Sequence, residues 1–348
     1  MKKQLLIAMI SGVFALSTVL AGCSGGSGGT ESSSKGSASA AESDKVVKLN
    51  LGHILTPESH YQVMVNKLVE LADQKSNGTI KITAFPQSQL GGEVKMIQSA
   101  RSGTLGMFIT GQAALENTVK EYAILDLPYL FDDIDQANKV LKGDVGKKYL
   151  EMLKQHDLVG LGWLSAMERN IFSTKPVRTV EDMKALKIRV MQAPGYVKTF
   201  EQLGAQPTPM SYAEVYLSLQ QGVIDGGDIS PDQFMMDKFV EVAKYYNLTK
   251  THYLPALLVM SKKNWDEMSP NQQKALQEAA DEALQVGIDF YKQSYAESLE
   301  KAKQQGVQII ETDLSGFKQQ AEKTHESLLQ DIPNGKELYE EIQKAKKQ

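Results

Sequence analysis

The sequence predicts an α/β protein, a mostly parallel sheet covered by helices on both faces and organised as two domains. Three observations predict it. Strand-like and helix-like periodicities alternate from residue 46 onward. About 305 residues follow a low-complexity leader, more than a single hydrophobic core usually serves. A helical pattern opens at Ser269-Pro270 and runs without a breaker to about Gln305. At 1.5 Å per residue that helix would be about 50 Å long, too long for one small domain, so it is expected to brace two.

The elements follow in order. Residues 46–55 (VVKLNLGHIL) alternate apolar and polar and read as a strand. His60 to Asn77 carries Val63, Val65, Leu68, Val69, Leu71 and Ala72 at helical spacing, and Asn77-Gly78 stops it. TIKITAF (79–85) is a second strand, GGEVKMIQSARSG a helix between glycines, and LGMFIT a third, buried strand. YAILDLPYLFDD ends in a Leu-Pro turn, and helical segments continue to about Gln155. LVGLGWLSA is a strand that ends before Arg169. Thr179, with Asp182 three residues on, caps a short helix. KIRVM follows as a strand, then a helix over 196–203, AQPTPM, a helix over 213–221 and GVIDGGDI as strand and turn. YLPALLVMSKK is a strand placed to cross back to the first domain.

The N-terminus reads differently. Lys2 and Lys3 precede an apolar stretch from Leu5 to Val19, too short to span a bilayer comfortably. Leu20-Ala21-Gly22-Cys23 follows and matches a bacterial lipobox, so residues 1–22 are expected to be a signal peptide and Cys23 a lipidated mature terminus. Cys23 is the only cysteine, which excludes a disulfide framework, a cysteine metal site and a thiol nucleophile. Residues 23–44 are rich in Ser, Gly and Ala and read as a flexible tether. The net charge is -4 and becomes -6 once residues 1–22, with two lysines and no acids, are removed. A mildly acidic exported protein is a poor candidate for nucleic-acid binding. The expected place is extracytoplasmic, held to the cell membrane by lipid and not crossing it.

Standard catalytic patterns are missing. The sequence has no G-x-x-x-x-G-K-[ST] loop and no G-x-G-x-x-G after a strand. Gly22-Cys23-Ser24-Gly25-Gly26 fits G-x-S-x-G but lacks the strand-turn-helix context that pattern needs. The five histidines are scattered without metal-ligand spacing, and no cofactor or metal is expected. Two cations stand out. Arg189 sits inside KIRV, a strand that otherwise belongs in a core, and Arg169 lies in WLSAMERNIFS. A guanidinium stays charged and must meet water or an anion. In open α/β sheets ligands bind beyond the carboxyl ends of strands. Spacing alone leaves two readings: an anion held by both arginines, or local pairing with carboxylates such as Glu168 or Glu201.

The stretch from Lys187 to Ile229 carries K-I-R-V, L-G-A-x-P-x-P-M, an aromatic followed by x-E-V-Y, and L-Q-x-G-V-I-D-G. Together with SNGTIKITAFPQSQLGGE, LDLPYLFDD and WDEMSPNQQKAL, it resembles the DctP-type substrate-binding proteins of tripartite ATP-independent periplasmic (TRAP) transporters. The likeness runs over nearly all of residues 46 to 300. It implies a two-lobed periplasmic-binding-protein-like α/β fold (type II-like), with hinge strands and a long bracing helix, whose lobes close on ligand. It implies that Arg189 grips the ligand carboxylate with two hydrogen bonds, that Arg169 adds a contact, that Tyr212 lines the cleft and that Gln192 touches ligand. Relatives often read D-G-x-E-N where this chain reads Asp225-Gly226-Gly227-Asp228-Ile229, so Ile229 is expected to leave part of the usual carboxylate site missing or rebuilt, with Ser230 or Gln233 as replacement donors.

Further cleft candidates are His53, Thr110 and Gln112 from the first lobe and His252 from the hinge side. Asp228 either accepts ligand hydroxyls or pairs with Arg169. Lobe I is expected to comprise 45–166 plus about 255–285, and lobe II 167–254 plus about 286–348. The expected function is capture of a small organic acid, a sugar acid or C4-dicarboxylate among them, for delivery by a monomer to the small and large TRAP membrane subunits. A binding protein for another importer or a chemoreceptor, or an exported enzyme acting on an acidic metabolite, are the alternatives.

Overall fold

The computed structural model describes residues 44–347, so the signal-peptide and Cys23 readings, and nearly all of the tether, lie outside the described residues. The strands are β1 (Val47–Gly52), β2 (Ile80–Phe85), β3 (Met107–Gly111), β4 (Leu158–Ser173), β5 (Lys187–Val190), β6 (Gln206–Pro209), β7 (Gly226–Ile229), β8 (Tyr245–Ser261) and β9 (Gln308–Ile310). The helices are α1 (His60–Lys75), α2 (Glu93–Arg101), α3 (Ile134–Lys142), α4 (Asp144–Met152), α5 (Pro194–Gln202) and α6 (Val215–Gln220). They continue with α7 (Pro231–Met236), α8 (Lys262–Asp266), α9 (Pro270–Gln304), α10 (Leu314–Asp331) and α11 (Gly335–Lys346).

All the strands join in one sheet, in the order β2-β1-β3-β8-β4-β7-β5-β6, with β9 beside β8. Pairing is parallel at β2-β1-β3 and at β7-β5-β6, as the alternating pattern predicted. The antiparallel β4 and β8 run the length of both halves. β8 meets β3 through Ala256–Met260 and β9 through Tyr245–Asn247, while β4 meets β7 through Asn170–Ser173. Their shared ladder shifts register three times, the last between Arg169 and Ile171. Such irregularities twist a strand and re-aim its side chains.

Both long strands exceed the sequence expectation. β4 does not end at Ala166 but continues through Glu168-Arg169-Asn170, so Arg169 lies within the strand and not past its end. The polar run misled because each group finds a partner inside. Glu168 accepts from Tyr295 at 2.7 Å and from Asn170 at 2.9 Å, and Asn170 accepts from the Lys250 backbone at 2.9 Å. β8 begins at Tyr245, well before Tyr253, because buried Asn247 donates to the Ile171 carbonyl and accepts from Val177, each at 2.8 Å.

Helix α9 starts where expected. Ser269 and Gln272 cap each other at 3.1 and 3.2 Å, with Pro270 at the first turn. It packs on α1 and β4 at one end and on α7 and β9 further along, which is how it braces both halves. Its inner stripe is small: Ala275, Ala279, Ala280, Ala283 and Gly287 are buried. A Cβ on Gly287 would lie 2.7 Å from a Leu164 methyl and 2.9 Å from Met64 Cβ, so α1 approaches closely only because glycine is there. Gly287→Val is expected to lower stability by about 1–3 kcal/mol through overpacking, read as a lower midpoint in urea unfolding. At the C-terminus α10 packs on α5, while α11 packs on α3 and α4 with Leu338 and Ile342 in the same core as Tyr149.

Candidate functional site

The carboxyl ends of β1, β3, β5 and β7 and the helices around them converge on one small, tight cavity beside the long strands. Ile54, Tyr61, Glu93 and Gly111 line it from the first half, Met167, Arg169 and Leu254 from the long strands, and Arg189, Met191, Tyr212 and Gln233 from the second half. Residues distant in the chain thus face one interior space, as open α/β sheets place ligands.

The two arginines are nearly closed off from solvent, at 3% exposure for Arg169 and 4% for Arg189, but their partners differ. Arg169 is neutralised within the protein. Its Nε donates to Asp228 Oδ2 at 3.1 Å, its Nη2 donates to the Asp228 carbonyl and to Oδ1, and its Nη1 reaches Gln233 Oε1 at 3.4 Å. Burial opposes the Arg169 charge, and the Asp228 carboxylate with its hydrogen bonds outweighs that and raises the pKa. Of the two readings of Asp228, the pairing with Arg169 is present.

Arg189 has no such partner. Its Nε and Nη2 donate to the Met210 carbonyl at 3.2 and 3.0 Å, and the guanidinium lies 5.7 Å from the centre of the Tyr212 ring. Among the described residues it forms no ion pair. Burial, then the neighbouring Arg169 charge, lowers its pKa from the usual value, against the more distant pull of Asp228 and Glu93. Strand alternation explains the placement: Ile188 and Val190 are core residues, whereas Arg189 and Met191 reach the cavity.

Glu93 faces the arginines from the first half. Its Oε1 accepts from Thr110 Oγ1 at 2.9 Å and from Gly111 N at 2.8 Å, and burial raises its pKa despite those bonds and both arginine charges. Tyr212 donates to Asp237, whose carboxyl burial pushes up to about 7.

The other candidates are placed as follows. Thr110 supports Glu93 and is not part of the cavity wall. Gln112 is buried on Asp126. Gln192 is exposed on the rim, beyond the end of β5, where its carbonyl accepts from Asn117 at 2.8 Å. His53 is bonded to Gln62 at 2.9 Å, and His252 stacks on Tyr196 with ring centres 4.3 Å apart. Burial lowers the pKa of each histidine to about 4, so both are neutral and lie outside the cavity wall. Ile229 is corrected. Its side chain packs in a core with Phe172, Phe234 and Tyr246, on the sheet face opposite Asp228, so it neither lines the cavity nor leaves a gap in it. Tyr61, Glu93, Met167 and Met191 were missed. The position of Glu93 at the start of a helix entered from a strand end, directly after Gly91-Gly92, was a usable signal.

Two α/β halves sharing long strands, a bracing helix and a buried polar cavity between them define a two-lobed solute-binding protein. The model of the family described as bacterial extracellular solute-binding protein, family 7 (DctP), matches residues 51–331, and the chain belongs to that family. It is 30% identical to the 2,3-diketo-L-gulonate-binding periplasmic protein of Escherichia coli, over 84% of this chain and 90% of that one. Among solved structures it is similar to a TRAP periplasmic solute-binding protein from Sulfitobacter with bound β-D-galacturonate, with a TM-score of 0.83, 27% identity and coverage of 85% and 99%. A TRAP solute-binding protein from Polaromonas bound to D-erythronate gives a TM-score of 0.82 at 30% identity, covering 85% and 98%. The matched family and these neighbours are solute-binding proteins rather than enzymes.

Proposed function

We propose that this protein captures a polyhydroxylated monocarboxylate, a sugar acid, and delivers it to the small and large membrane subunits of a TRAP transporter. The observation that carries the reading is Arg189, a buried guanidinium without a paired carboxylate among the described residues. A planar guanidinium matches the two oxygens of a carboxylate, and each charged hydrogen bond contributes about 1.5–3 kcal/mol where water is excluded. The charge pattern supports one anionic group and not two, because Asp228 already neutralises Arg169. Glu93 Oε2 has no protein donor among the described residues and suits ligand hydroxyls, while its carboxyl disfavours a second ligand carboxylate. The sugar acids bound by the E. coli, Sulfitobacter and Polaromonas relatives have this chemistry.

The ligand enters an open form and favours the closed one by its contacts with both lobes, since it shifts the balance only by its differential affinity. The lobes are taken as 45–166 with about 255–285, and 167–254 with most of about 286–348, except that α11, expected with the second lobe, packs on α3 and α4 and goes with the first. Among the described residues no helix is long and apolar enough to cross a membrane. The LAGC sequence supports an extracytoplasmic protein tethered through lipid on Cys23.

A thermal-shift panel tests the ligand class. D-glucuronate, D-galacturonate and D-erythronate are expected to raise Tm, with a Kd-dependent gain that reaches about 2.7 kcal/mol at a hundredfold excess over Kd, and succinate to raise it far less. A panel in which succinate gives the largest shift, or in which no acid shifts Tm, overturns the reading.

A further inference from the structure

Away from the cavity, a second buried polar contact joins the two lobes. After β3 the chain places Glu116 and Asp126 side by side, at 8% and 0% exposure, with both carboxyls facing Gly195 and with Asp126 Oδ2 buried and without a hydrogen-bond partner among the described residues. The first turn of α5, in the second lobe, is seated on them: Gly195 N donates to both Glu116 oxygens, at 3.1 and 3.2 Å. Gln112 donates to the other carboxyl, on Asp126. Beside this contact Asn117 donates to the Gln192 carbonyl at 2.8 Å. A Cβ at Gly195 would lie 3.0 Å from Asp126 Cβ, 3.3 Å from Asp126 Oδ2 and 3.4 Å from a Glu116 oxygen, so a side chain there would crowd both carboxyls. None of these residues lines the ligand cavity.

We propose that Glu116 and Asp126 share one proton in the closed protein and clasp the N-terminus of α5, so that closure, and with it ligand affinity, is coupled to proton uptake. Two neighbouring carboxyls away from water cannot both be ionised cheaply, and a proton shared between them gives the unpartnered Asp126 oxygen a partner. One must keep a proton to donate to the other, and the remaining carboxylate then accepts the Gly195 N–H. Opening lifts α5 away and returns both groups to water, where each ionises in the ordinary range.

The charged and titratable surroundings agree. Burial, then the Glu116 charge, raises the Asp126 carboxyl well above its usual value, and burial also raises Glu116. Lys198 on α5 favours ionised Glu116, and it is itself paired with Asp331 of α10. Asp228 of β7 adds negative charge. His252 of β8, which lies against the Asp126 backbone, and Tyr196 of α5 are neutral.

The sign follows. The closed form holds a raised carboxyl pKa, so the clasp's contribution is complete below the ordinary aspartate range and is lost as pH rises towards the raised value. Affinity therefore falls with increasing pH, approaching tenfold per pH unit where one proton is taken up per ligand bound.

The test rests on the sugar-acid reading only for its probe. The full chain is titrated calorimetrically with D-glucuronate between about pH 5.5 and 8.5, in buffer pairs of different ionisation heat. Wild type is expected to take up a proton on binding and to bind more weakly as pH rises, and Asp126→Asn to lose that pH dependence. Absence of proton uptake, or the same profile in wild type and Asp126→Asn, overturns the proposal. If D-glucuronate does not bind, the ligand assignment is at fault, and the clasp is tested without ligand by amide exchange of residues 193–200, corrected for intrinsic rate. More protection at the acid end in wild type than in Asp126→Asn supports the clasp, and identical profiles overturn it.

Discussion

Arg189→Lys is expected to bind a sugar acid tens- to thousands-fold more weakly than wild type in a calorimetric titration. The substitution keeps a cation and removes the fork. In the protein, Nε and Nη2 hold the Met210 carbonyl and orient the plane, which directs the rest of the guanidinium to the cavity. A lysine ammonium cannot make both sets of bonds at once, and it loses its proton more readily when buried. Truncating one partner of a desolvated charge pair costs about 2–5 kcal/mol, and each 1.4 kcal/mol is tenfold in affinity. Stability without ligand should change little, because among the described residues the guanidinium is held only by one carbonyl and the Tyr212 face. Wild-type affinity in this variant would show that the buried cation is not what holds the acid.

Asp228→Asn is expected to act on stability first. Asp228 supplies the carboxylate for Arg169, and both side chains are almost fully buried. Breaking such a pair from one side leaves a buried charge uncompensated and costs about 3–5 kcal/mol, a large part of the stability of an ordinary domain. The midpoint of urea unfolding should fall accordingly at neutral pH. The same change leaves two uncompensated guanidinium groups around one cavity, so the variant should also gain affinity for succinate relative to D-glucuronate. An unchanged unfolding midpoint would mean that Arg169 is held by something other than Asp228. An unchanged ratio of the two affinities would count against the charge pattern as the basis of ligand choice.

The sequence was most informative where short-range physics decides. Period-two runs in the first half, the Asn77-Gly78 stop and the Ser269-Pro270-Gln272 cap each produced the element expected of them. The same signals failed at Glu168-Arg169-Asn170, where polarity read as a strand end. Those groups are satisfied by Tyr295, Asp228 and Lys250, which lie far away in the chain. For the site, the oddity of a cation in KIRV pointed at Arg189, and motif likeness added Arg169 and Tyr212; all three reach the cavity. His53 and Gln112 were suggested by their nearness to strand ends and His252 by its place on the hinge side, yet each is absorbed by a neighbour. Ile229 was judged by its alignment with an asparagine, and strand parity turned it into the core.

By itself the sequence determined the α/β class, the long brace and the presence of two cations too costly to leave unpaired, because periodicity, capping and the permanent charge of arginine are properties of a residue and its near neighbours. Only the tertiary structure decided which arginine is already neutralised, which side chains share the cavity and which carboxyls meet across the lobes. Those outcomes depend on strand register and on partners brought together from opposite ends of the chain, and no local pattern encodes them.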